Sequence, residues 1–220
     1  MCFSIAASVA AGSALSAVGV ATITKAKRKA DVPFAMIPLL FGIQQLAEGL
    51  VWLSFRFDAL LLNTTTTFVY SLFAYVFWPM YVPFAVRSLE TVPWRKKVLS
   101  LFQLVGITVG AYLLYFHIQV PVTSQVINKS IVYAAPHFDT LWVIVFYFTA
   151  TCMSALFSSH KLVNIFGVLV FISATASYQF YAASFVSVWC YFAAILSVIV
   201  YWYIKTQSVA EKQVEPRLRQ

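Results

Sequence analysis

Long apolar runs separated by short polar or basic clusters fill almost the whole chain. Seven of them approach the roughly 20 residues a helix needs to cross a bilayer. They predict helices over residues 3–23, 34–55, 68–86, 98–117, 140–158, 162–180 and 185–204. The connections read as a loop at 56–67 with four consecutive threonines, a long loop at 118–139 with Pro121 and Pro136, and tight turns elsewhere. Residues 205–220 form a polar, mildly basic tail without a packing pattern. Ser4, Ser8, Gly12, Ser16 and Gly19 share one face of the first helix, a spacing that lets helix backbones approach closely in lipid. Two prolines four apart, Pro79 and Pro83, remove backbone donors from the third helix and predict a kink.

Composition supports the membrane reading. Of 220 residues, 61% are hydrophobic and 10% charged, whereas soluble domains carry about 25% charged residues. No second domain is indicated. The net charge of +8 lies in clusters between apolar runs, which argues against nucleic acid. The first cluster is Lys25, Lys27, Arg28 and Lys29, the second Arg87, Arg95, Lys96 and Lys97, with His160, Lys161 and the tail adding a weaker third and fourth. The alternate loops are poor in Lys and Arg. By the positive-inside rule this predicts an all-α seven-helix membrane bundle, N-terminus outside and C-terminus in the cytoplasm. The first run lacks a basic leader segment and reads as a retained helix rather than a signal peptide.

One run carries chemistry. In the second helix, Gln44, Gln45 and Glu48 interrupt an otherwise apolar span. With Gln44 at zero on the helical wheel, Glu48 falls at about 40°, Phe41 at about 60°, Trp52 at about 80° and Gln45 at about 100°. The polar groups thus form one stripe facing the bundle interior. A carboxylate there needs a partner, a proton or a cation. Trp78, Gln179 and Trp189 reach a similar depth, so a ligand pocket is expected from Glu48, Gln44, Gln45, Trp52, Trp78, Gln179 and Trp189. The structural alternative is that the stripe only cross-links helices.

Three cysteines, Cys2, Cys152 and Cys190, form no CxxC pair, and an odd number argues against a disulfide framework. Cys2, freed at its amine by loss of the initiator methionine, could join Cys190 and Glu48, with His137 from the long loop, around a soft transition metal. Without such a metal both cysteines are ordinary small residues. Asn63 and Asn128 open glycosylation-type triplets. There is no HExxH, GxSxG or Gly-rich phosphate loop, so no catalytic motif supports an enzyme. No lysine lies within a span, which excludes a retinal Schiff base.

Four short blocks carry a resemblance. The opening Met1-Cys2-Phe3-Ser4-Ile5-Ala6-Ala7-Ser8 resembles the MCFSATAS start of a family of uncharacterised bacterial integral membrane proteins, departing from it at Ile5-Ala6. The string from Pro38 through Gln45 to Trp52, the pair Trp78-Pro79, and Ser187 to Ala194 are similar to the same family. The resemblance implies a bacterial inner-membrane protein and assigns no activity.

Three functions fit these residues. One is binding or transport of a small solute or cation around Glu48, with helices 1–3 and 5–7 as repeats about a linking helix 4. The others are a metal or redox site at Cys2, Cys190 and Glu48, and a ligand sensor or structural partner in the membrane.

Overall fold

The computed structural model describes residues 4–214 and is overwhelmingly helical. In chain order the helices begin with α1 (Ile5–Lys25), α2 (Val32–Ala35), α3 (Ile37–Arg56), α4 (Leu60–Ser71), α5 (Trp78–Leu89) and α6 (Pro93–Gln119). Two strands follow, β1 (Thr123–Ile127) and β2 (Ser130–Ala134). The chain continues with α7 (Leu141–Phe148), α8 (Ser154–Leu156), α9 (Lys161–Tyr181), α10 (Phe185–Leu196) and α11 (Val198–Val214). Two π-helical segments, Leu72–Phe77 and Thr149–Met153, join α4 to α5 and α7 to α8.

Five helical stretches are long and apolar enough to cross a membrane: Ile5–Lys25, Val32–Arg56, Leu60–Leu89, Pro93–Gln119 and Lys161–Ser208. Leu141–Leu156 is apolar but shorter. The last long stretch folds back on itself at Ala182–Ser184. Trp189 Nε1 donates to Val170 O at 3.1 Å across the bend, and Phe34 touches both Phe166 and Tyr203 edge-on. Helices α9 and α10–α11 are therefore an antiparallel pair.

The small-residue face of α1 packs as its spacing predicts. Ser8, Gly12 and Gly19 are buried against α3. A Cβ on Gly12 would lie 2.9 Å from Leu46 N, and one on Gly42 would lie 2.6 Å from Ser16 Oγ. The two backbones touch, which only glycine permits here.

The connection expected at 56–67 is mostly helix. Asp58 takes the left-handed conformation (φ 48°), and Ala59 N–H bonds back to Ser54 O. This Schellman closure turns the chain in three residues, so α4 starts at Leu60. The threonines fit a helix in an apolar setting because three of the four hydroxyls find a carbonyl one turn back, while that of Thr67 pairs with Ser124 Oγ of β1. Thr64 donates to Leu60 O, Thr65 to Leu61 O and Thr66 to Leu62 O at 2.7–3.0 Å. Asn63 donates to Ser54 Oγ and Ser124 Oγ and accepts from the latter. Its triplet is part of a helix-to-strand network rather than an open glycan acceptor.

The long loop expected at 118–139 contains the antiparallel hairpin β1–β2, so the fold is not purely helical. Asn128 and Lys129, at φ 49° and 62°, form a two-residue turn of the type that matches strand twist. The hairpin lies over the bundle end, with Ile131 and Tyr133 buried.

The kink expected from Pro79 appears as the π segment immediately before it. Pro79 supplies no N–H for the preceding turn, and the ladder re-registers by one residue. The bulged turn meets α6 where Gly106 stands against Pro79 O. Any Cβ on Gly106 would collide with that carbonyl. The tail expected from 205 onward continues α11 as far as Val214.

At the opposite, basic end, two connections are latched together. Glu90, 2% exposed, accepts from Thr91 N, Val92 N, Ser159 N and Ser159 Oγ at 2.7–3.0 Å. Burial alone would push its carboxyl up. The Val92, Ser159 and Thr91 donors outweigh that and hold it below the ordinary range. Arg95 donates to Phe157 O and Ser158 O, which ties α6 to the same turn.

Candidate functional site

The polar stripe of α3 is fully internal. Gln44 and Gln45 are 0% exposed and Glu48 is 2% exposed. At 1.5 Å per residue Glu48 lies about 12 Å from the Arg56 end of its helix, in the half of the bundle nearer the β-hairpin.

Three elements close around it. From α5, Trp78 Nε1 donates to Gln44 Oε1 at 2.6 Å, and its ring stacks on Phe41 with centroids 3.9 Å apart. From α10, Ser187 Oγ donates to Glu48 Oε1 at 2.5 Å. From α4, Tyr70 points its phenol toward the carboxyl, and Cys190 of α10 faces both. Tyr133 of β2 stacks flat on Tyr70, centroids 4.5 Å apart, so the hairpin roofs the cluster.

Hydrogen bonding there is incomplete. Among the described residues, Gln44 Nε2, both amide atoms of Gln45, and the Tyr70 and Tyr133 hydroxyls are buried without a partner. Buried polar groups are nearly always paired, and each orphan costs about 1–3 kcal/mol. Five such atoms beside one carboxyl are a poor design for a helix cross-link. Water or a polar ligand is the kind of group that would satisfy them. The groups acting on Glu48 are Ser187, Tyr70 and Gln45, none of them basic.

The expected pocket residues divide. Glu48, Gln44, Gln45 and Trp78 come together. Trp189 is buried one layer away, stacked on Phe148 and Phe185, and its indole N–H is taken up by Val170 O. With Phe41, Trp78, Tyr147 and Cys190 it lines a small apolar cavity of about 40 Å³. Trp52 is half-buried at the edge of the core. Gln179 does not join the site and is exposed. The buried face of α9 runs through Val170, Ala174 and Ser177; two residues on from Ser177 is about 200° of helix, the opposite side.

The metal set is not assembled among the described residues, where no three His, Cys, Asp or Glu side chains gather. Cys2 lies outside the described residues. His137 stacks on Phe116 at 3.8 Å, apart from Glu48. Cys152 and Cys190 are free thiols, both buried.

Tyr70, Tyr133 and Ser187 are the site residues that sequence pattern leaves unranked. Ser187 has a signal, one helical turn before Cys190 on the same face. Tyr133 has none, because a loop residue's partner depends on the hairpin's docking.

No curated protein and no solved structure matches the chain. A family match extends over residues 1–215, nearly the entire sequence. The chain belongs to the Family of unknown function (DUF6629).

Proposed function

We propose that the protein is a seven-crossing bacterial inner-membrane protein that binds a small solute or cation at Glu48. The observation that carries this reading is a buried carboxyl whose one short hydrogen bond comes from Ser187, with Tyr70 and Gln45 beside it and no basic group acting on it, next to five polar atoms that lack a close partner among the described residues. Position adds support. The site lies in the half of the bundle beneath the hairpin, and the Lys/Arg clusters lie at the other end. With those clusters in the cytoplasm, the hairpin end faces outward. The turn at Ala182–Ser184, which divides the last long stretch, and the shorter apolar Leu141–Leu156 rod support counting seven crossings.

Membrane-impermeant thiol labelling of single cysteines tests the orientation. In intact cells a cysteine at Lys129 should label and one at Lys29 should not; the reverse pattern would refute it. Binding is tested by thermal stabilisation of the purified protein against alkali cations and small protonated amines. At least one should raise the unfolding temperature of the wild type and lose that effect in Glu48→Gln. An identical response in the variant would place binding elsewhere.

A further inference from the structure

A second cavity, about 600 Å³, opens beside the Glu48 cluster, between β2, α7 and the corner joining α9 to α10. Its size falls within the range of small-molecule sites. It shares two walls with the cluster. Ser187, the donor to Glu48, lines it, and so does Tyr133, whose buried hydroxyl lacks a partner among the described residues.

The lining has a definite chemical character. Phe138, Ile144, Phe148 and Phe185 make an apolar chamber. Asp139, at the exposed rim, is the one acidic residue in the lining, and no Lys, Arg or His lines the cavity. A negative rim, an apolar body and a carboxyl behind the inner wall form an ordered set. The phenol rings of Tyr75 and Tyr133 add faces that attract cations.

The mouth has a definite neighbour as well. Phe171 and Tyr178, also in the lining, expose 48% and 65% of their surface on the outer side of α9. On a crossing helix that side meets lipid. The cavity therefore opens toward the bilayer as well as toward the hairpin end.

We infer that this cavity admits an amphipathic organic cation, a protonated amine on an apolar body, from the membrane. Its ammonium passes Asp139 and reaches the Ser187–Glu48 pair, while its chain fills the aromatic chamber. The inference rests on Glu48 being a ligand site and specifies the ligand's class and route.

The test is photocrosslinking in nanodiscs of zwitterionic lipid with a decylamine bearing a diazirine, sites mapped by mass spectrometry. The probe should label the chamber around Phe148, Phe171 and Phe185. Unlabelled decylamine should suppress that labelling about tenfold more effectively than decanol or decanoate. Glu48→Gln should remove most of this preference. Asp139→Asn, an exposed change that leaves the core intact, should weaken it by about threefold, the worth of a solvent-facing charge pair. Equal protection by decanol would overturn the cationic class while leaving the Glu48 site standing. Labelling no stronger in the chamber than on the exposed apolar surface at Leu101 and Ile118 would overturn both the cationic class and the route through the cavity.

Discussion

Trp78 and Gln44 show how single residues hold the site. The indole N–H supplies the donor for Gln44 Oε1, and the ring presses on Phe41. Replacing Trp78 with Phe keeps much of the stacking and strands a second buried atom on an amide whose nitrogen is already unpaired. The expected cost is about 1–3 kcal/mol, read as a lower unfolding temperature in detergent, with Trp52→Phe as the milder control at a half-buried position. Much of this cluster is visible in sequence. Gln44, Gln45 and Glu48 share one quadrant of a regular helix, so their common direction follows from geometry alone. Gln179 misled because its depth matched while its direction did not. A reading by depth cannot separate two faces of one helix, and the buried residues around Ser177 decide which face turns inward.

The elements are shaped by how backbone polar groups are satisfied in an apolar setting. The threonine run reads as a loop from intrinsic preference, yet three of its four hydroxyls bond back along the helix and α4 begins directly after the Asp58 turn. The hairpin was hidden in a stretch with prolines at both ends. Its strands are short, and their register rests on a two-residue turn. Glu90 gives an element-scale prediction. Its carboxylate bridges the connections after α5 and after α8 and is held below its ordinary range. A depressed carboxyl stabilises the fold above its unfolded-state value, and that stability is lost as pH falls through the lower folded value. Wild-type unfolding temperature should therefore fall more steeply than that of Glu90→Gln below about pH 4.5. At neutral pH the variant should be less stable by about 1–3 kcal/mol. Parallel pH profiles for the two proteins would refute the latch.

For the whole molecule, the alternation of apolar runs and basic clusters predicts a helical membrane protein, and the structure is one, with long apolar helices and a short hairpin across one end. Two features belong to assembly rather than to any run. One is the docking of β2 over Tyr70, which closes the site from outside the bundle. The other is the 600 Å³ cavity at the α9–α10 corner, which exists only because three separate segments stop short of one another. Both meet at Glu48, whose role divides two accounts of the molecule. A carboxyl kept to cross-link helices is needed for the fold. A carboxyl kept for a ligand burdens the fold, as buried charges and unpaired polar groups do. Gln preserves the acceptor for Ser187 and removes the ionisable group, placing an amide NH2 where the second carboxyl oxygen stood. The most direct measurement is thermal unfolding of wild type and Glu48→Gln in the same nanodiscs without added ligand. Glu48 as a binding site predicts a variant at least as stable as the wild type. A variant that melts lower by more than about 5 °C, over 1 kcal/mol for a chain of this size, would make Glu48 a structural cross-link and contradict the account.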